Sequence, residues 1–202
     1  KQFPKQSTRS ADSCLRLQKV GDSVQARPSG QARKPGWATL RARAEEGESE
    51  AQFGLGLYYS TALGEELDFA QAALWYRKAA DQNHLLAQYN LSLMLARGQG
   101  LPRDEVAAVE WLRKAAEGGD AGGQYALGMR CHRASLDSGS LDAVESRIEG
   151  YKWFHLAAAQ GYRDSITAYQ RLSLKMSRTE VDEGNRRAAD FVVRKPSPGQ
   201  PP

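Results

Sequence analysis

The chain has 202 residues, with 28 Lys and Arg against 24 Asp and Glu and 41% hydrophobic residues. That length admits a substantial folded region. No apolar run approaches the roughly 18 residues of a membrane span, and two cysteines, Cys14 and Cys131, are too few for a disulfide framework, so no structural disulfide is expected.

Charge divides the chain. Residues 1–36 carry eight Lys and Arg and two Asp and Glu, net +6, which leaves −2 for residues 37–202. This first segment is rich in Pro, Gly, Ser, Gln and Arg and poor in large apolar residues, so it cannot bury enough surface to offset its ordering entropy. It is expected to be a basic, mostly disordered tail, with a short helical stretch around Cys14–Val20 at most. It is either a solvated linker or a contact for nucleic acid or an acidic surface. The chain begins at Lys1 rather than Met. The compartment is read as cytoplasmic or exported with a signal removed.

From Trp37 onward the sequence repeats. Trp75–Leu91 and Trp111–Leu127 align residue for residue at a spacing of 36, and such a period marks a repeat array. Ala44, Gly47 and Ala51 recur as Ala80, Asn83 and Ala87, as Ala116, Gly119 and Gly123, and as Ala158, Gly161 and Ser165. Each set reads as a helix end, a tight turn with φ > 0, and a small residue opening the next helix. Trp37–Glu46 is therefore the second helix of a truncated leading repeat.

First helices are predicted over Ala51–Ser60, Ala87–Arg97 and Gly123–Arg133. Their buried stripe is Ala51, Leu55, Gly56 and Tyr59, repeated as Ala87, Leu91, Ser92 and Leu95 and as Gly123, Leu127, Gly128 and Cys131. Second helices follow over Asp68–Gln82, Asp104–Gly118 and Ser146–Gln160, with Asp68, Asp104 and Ser146 as N-caps. Trp75, Trp111 and Trp153 share one register and are expected in the core. The 42 residues from Trp111 to Trp153 put a six-residue insertion in the loop 134–145. Asp164–Lys175 and a polar helix opened by a Ser177/Glu180 capping box then close the array. The domain map is a tail over 1–36, an array over 37–193 and a flexible tail over 194–202. Within the array stand a leading helix at 37–47, repeats at about 51–86, 87–122 and 123–165, and capping helices at 164–193.

No catalytic constellation appears. Cys131 and His132 are neighbours on a helix and point about 100° apart, so they cannot share one ligand site. His84, in a turn, and His155 have no ligand spacing and are expected at the surface. Phosphate loops, nucleophile elbows and zinc motifs are missing. The expectation is a non-enzymatic chain with no cofactor, metal or catalytic residue.

Ala-x-x-x-Leu-Gly-x-x-Tyr followed by Asp-x-x-x-Ala-x-x-Trp-Tyr-x-Lys-Ala-Ala, read over residues 51–122, resembles the Sel-one-like repeat family, relatives of tetratricopeptide repeats found often in bacteria. Residues 123–165 match with the insertion. Departures are Ser92 for Gly, and Leu95 and Cys131 for Tyr. The resemblance implies an all-α fold, a right-handed α/α solenoid of antiparallel helix pairs. It also implies a scaffold or adaptor whose concave side binds a protein or peptide. Carried onto this chain, that groove is lined by Phe53, Leu57, Tyr89, Leu93, Arg97, Tyr125, Met129, His132 and Arg133. The aromatic column Phe53, Tyr89 and Tyr125 either meets the partner or packs between units. The alternative function is nucleic-acid or acidic-surface binding through the basic tail. Nucleic acid is not the expected partner of the array itself.

Overall fold

The computed structural model describes residues 36–63, 66–136, 142–162 and 164–193. The tails, and with them Cys14 and any nucleic-acid contact of the basic segment, lie outside the described residues. Among these residues the chain is helical without a strand, and the helices are α1 (Trp37–Glu45), α2 (Ser49–Thr61), α3 (Phe69–Asp81), α4 (Leu85–Arg97), α5 (Glu105–Glu117), α6 (Ala121–Ala134), α7 (Ala143–Ala159), α8 (Ser165–Ser173) and α9 (Arg178–Ala189). Successive helices pack on one another, with α2 on α3, α4 on α5 and α6 on α7 forming the pairs of a solenoid.

The turns between pairs are alike because their backbone chemistry is alike. Gly47, Asn83, Gly119 and Gly161 all have φ between 63° and 100°. At each, the next N–H reaches back to the carbonyl five residues earlier: Glu48 to Arg43, His84 to Ala79, Asp120 to Ala115 and Tyr162 to Ala157. This double-bonded helix end satisfies orphan carbonyls and turns the chain by nearly half a circle. The next helix starts at once, so α2, α4 and α6 begin at Ser49, Leu85 and Ala121, two residues before the expected starts. Asp68 and Asp104 cap α3 and α5 by accepting from the N–H of Gln71 and Ala107 at 3.0 and 2.9 Å. Ser146 does not cap α7. That helix starts at Ala143, and the Ser146 N–H already bonds to the Asp142 carbonyl at 2.8 Å.

Close crossing explains the small residues in the first helices. A Cβ at Gly56 would stand 2.5 Å from the Tyr76 ring, and one at Gly128 would stand 2.8 Å from Phe154. In the middle repeat Leu112 takes the place of those rings, and Ser92 takes the place of the glycine. A branched aliphatic is narrower than a ring, which leaves room for a hydroxymethyl group. The tryptophans are packed as expected: Trp75 and Trp153 are buried and Trp111 is half-buried. A lysine ammonium lies over each, Lys78, Lys114 and Lys152, at 4.1 to 4.4 Å from the ring.

Three buried glutamines at the repeat period tie the turns together. Gln52, Gln88 and Gln124 each donate from Nε2 to the helix-end carbonyl of Ala44, Ala80 and Ala116 at 3.2 Å. Gln82 then donates to Gln52 Oε1 and the Gly47 carbonyl at 2.7 and 2.9 Å, and Gln160 donates to Gln124 Oε1 and the Gly119 carbonyl at 2.9 and 3.1 Å. In the middle repeat that position is Gly118, so Gln88 Oε1 is buried with no donor. A Cβ there would lie 2.2 Å from Leu85, which replaces a polar clamp with an apolar filling. Gln160→Ala, which orphans Gln124 Oε1 in the same way, is expected to cost about 1–2 kcal/mol in urea denaturation. An unchanged midpoint would show that the clamp contributes nothing.

The last helix leaves the repeat pattern. α9 packs chiefly on α7 rather than pairing with α8. Arg187 bonds to Glu145, Glu149 and Glu183, Arg147 bonds to Glu180 at 2.6 Å, and Tyr151 donates to Asn185 at 3.1 Å. Phe191 closes edge-on over Trp153 at 5.5 Å. Ser177 and Glu180 form the capping box that starts the helix.

Candidate functional site

Each first helix presents one stripe away from its second-helix partner. Residues spaced i, i+3, i+7 and i+11 share a helix face. They are Glu50, Phe53, Leu57 and Thr61 on α2, then Leu86, Tyr89, Leu93 and Arg97 on α4, and Gly122, Tyr125, Met129 and Arg133 on α6. Leu57 and Met129 are 42% and 40% exposed. Arg97 and Arg133 are exposed and Leu93 is half-buried. Among the described residues neither arginine has a carboxylate partner, whereas Arg41, Arg43, Arg103, Arg130, Arg147, Arg186 and Arg187 all do.

The aromatic column is built into the junctions. Phe53 stacks on His84 at 4.6 Å and leans on Tyr76 at 5.8 Å. Tyr89 joins the cluster of Leu112, Leu127 and Trp153, and a Cβ on Gly122 would touch its ring at 3.4 Å. Tyr125 packs between Phe154 and Tyr162 at 5.5 and 5.4 Å. Each ring is half-buried. Each therefore joins one repeat to the next and shows solvent only part of its surface.

The histidines are not surface residues. His84 caps α4, with Nδ1 accepting from the Ala87 N–H at 3.2 Å and Nε2 lying 3.0 Å from Glu50 Oε2. Its side chain is only 12% exposed. His155 packs between Tyr151 and Tyr169. An aromatic neighbour from another element covers each ring, which spacing along one helix could not show. His132 is half-buried at the end of α6, where burial and then the Lys175 ammonium hold its pKa below the usual histidine range. Burial pushes the Cys131 thiol up, followed in weight by Glu149, so this free thiol is a poor nucleophile.

The effect of Lys175 on His132 reveals a part of the face that sequence reading missed. The repeat register, shifted by 42 residues, continues onto α8 as Thr167, Arg171 and Lys175. All three are exposed, and Lys175 lies just past the helix end. The available signal was the offset from Ala116 to Ala158, which places Lys175 opposite Arg133.

Among the described residues no group of three His, Cys, Asp or Glu side chains could hold a metal ion. No described helix is long and apolar enough to cross a membrane. A stack of helix pairs whose first helices show one repeated, half-apolar face is an α-solenoid of the repeat-scaffold class. The Sel1 repeat profile matches residues 49–84, 85–120 and 121–162, and the chain belongs to the Sel1 repeat family. Repeats of this family generally mediate protein–protein interactions. Among solved structures, a protective antigen of uropathogenic Escherichia coli strains displaying an SLR fold is similar, at 26% identity and a TM-score of 0.64. The match covers 76% of this chain and 32% of the antigen, so the chain spans about a third of that relative's length. A Sel1 repeat protein from Oxalobacter formigenes is 30% identical with a TM-score of 0.56, over 66% of this chain and 96% of that one. No curated protein matches the chain.

Proposed function

We propose that this chain is a non-enzymatic scaffold or adaptor that binds a protein segment along the face of its first helices. The exposure of Leu57 and Met129 in one register, with unpaired Arg97 and Arg133 one helical turn beyond Leu93 and Met129, carries the reading. Apolar side chains left at the surface in a repeated row cost solvation, and arginine is enriched where partners dock. Phe53, Tyr89 and Tyr125 supply rigid walls because their rings are held by the next repeat. His132, half-buried beside them, closes the α6 end. Rigid helices hold these groups without reorganisation, which lowers the entropy cost of association.

The test uses the two most exposed apolar residues, since their replacement spares the core. Leu57→Gln with Met129→Gln should leave the circular dichroism spectrum and melting unchanged. Binding of partners captured from the source cells and identified by mass spectrometry should weaken by about 1–2 kcal/mol. Full affinity in the folded double variant would move the contact to another face.

A further inference from the structure

Resting on that reading of the first-helix face, we infer that its partner is an extended segment with an acidic residue at about every third position, read by the row Arg97, Arg133 and Lys175. The three cations occupy the same register in successive units, at the ends of α4, α6 and α8. All are exposed, and among the described residues none is ion-paired. Lys175 stands near enough to His132 to act on it electrostatically, so the row is continuous from α6 to α8. Cations at helix C-termini complement the macrodipole. That effect does not require them to share one register and one face across three units.

Spacing selects the partner's conformation. Helices in contact stand about 8–10 Å apart. A polyproline-type strand rises about 3.1 Å per residue with three residues per turn, so every third side chain falls on one face about 9 Å further on. Glutamate or aspartate at that interval meets one cation per repeat in charge-assisted bonds.

The apolar row fixes the segment's polarity. One helical turn before the cations stand Leu93 on α4, Met129 on α6 and Arg171 on α8, and α2 contributes Leu57 with Thr61. Apolar positions therefore dominate at the α2 end and cations at the α8 end. The partner's apolar residues lie over α2 and α4, and its most acidic end lies at α8 against Arg171 and Lys175.

The probe is a fluorescein-labelled peptide with Glu at every third position among Pro and Leu, set against an isomer with the same residues shuffled. Fluorescence anisotropy is measured with the full chain, whose basic tail is common to all variants and so drops out of the differences. Arg97→Gln, Arg133→Gln and Lys175→Gln together should weaken binding at least tenfold, and Lys175→Gln alone severalfold. The shuffled isomer should bind more weakly than the ordered peptide. Three results would overturn the inference: parental affinity in the triple variant, equal binding of the isomer, or equal competition by an oligodeoxythymidylate of the same charge. If Leu57→Gln with Met129→Gln weakens binding while the triple variant does not, the cation row falls and the docking face stands. If neither weakens it, both fall.

Discussion

Arginine in place of Ala79 or Ala115 is expected to bring the array close to unfolding. Both alanines are 0% exposed and lie where a second helix crosses its neighbours. Their carbonyls also accept the turn bonds from His84 and Asp120 at 3.1 and 2.9 Å. A guanidinium there overfills a site with no room for one further carbon. Gly123 shows how tight it is, since an added Cβ would already lie 3.1 Å from Ala115. Overpacking costs about 1–3 kcal/mol, and a charge forced out of water adds several more. Together they amount to about 4–5 kcal/mol, a large part of the stability of an ordinary domain. Thermal and urea denaturation measure it. Ala70→Arg, at an exposed position of the same α3, is the control and should change stability by less than about 0.5 kcal/mol. Unchanged melting of the Ala79 and Ala115 variants would show that the helices cross elsewhere.

The second large effect is expected at the C-terminal end. α9 buries only Gly184 and Ala188 fully, so its hold on α7 is mostly polar. Arg187, half-buried, is the hub of that hold because three carboxylates converge on it. Arg187→Met keeps most of the stem's packing but leaves Glu145, Glu149 and Glu183 facing one another. Breaking a buried ion pair costs about 3–5 kcal/mol, and partial exposure brings the expected loss here to about 2 kcal/mol. Hydrogen exchange should show α9 amides losing protection while α3 and α4 keep theirs. Equal loss in all helices would show that α9 is no separate unit.

The same network makes a pH prediction. The guanidinium of Arg186, and then that of Arg187, holds Glu183 down at about 2, and Arg187 holds Glu145 below the usual carboxylate range. Both folded values lie below the unfolded ones. The stability they contribute is therefore full above the unfolded carboxylate pKa of about 4.3 and is lost as pH falls towards about 2. α9 should detach within that acid window.

Sequence by itself determined the repeat and its local punctuation. Gly47, Asn83, Gly119 and Gly161 marked the turns because a left-handed backbone favours glycine or asparagine. Asp68, Asp104 and the Ser177/Glu180 box marked helix starts because their oxygens meet N–H groups three residues away. The tryptophan register marked the core because its period matches the unit. All of these signals act within a few residues or recur at a fixed spacing. What only the tertiary structure decided depends on neighbours brought from other units. Gln88 lacks its donor because a residue thirty positions away is Gly118 rather than glutamine. His84 is a covered cap because Phe53 of the preceding helix lies against it. The column of rings is turned into the junctions, and α9 folds onto α7 through charges in the insertion-bearing helix. Lys175 joins Arg97 and Arg133 only because α8 keeps the register of the first helices after the repeat's sequence has faded. Burial and pairing of this kind are properties of the packed stack, in which each unit completes the surroundings of the next.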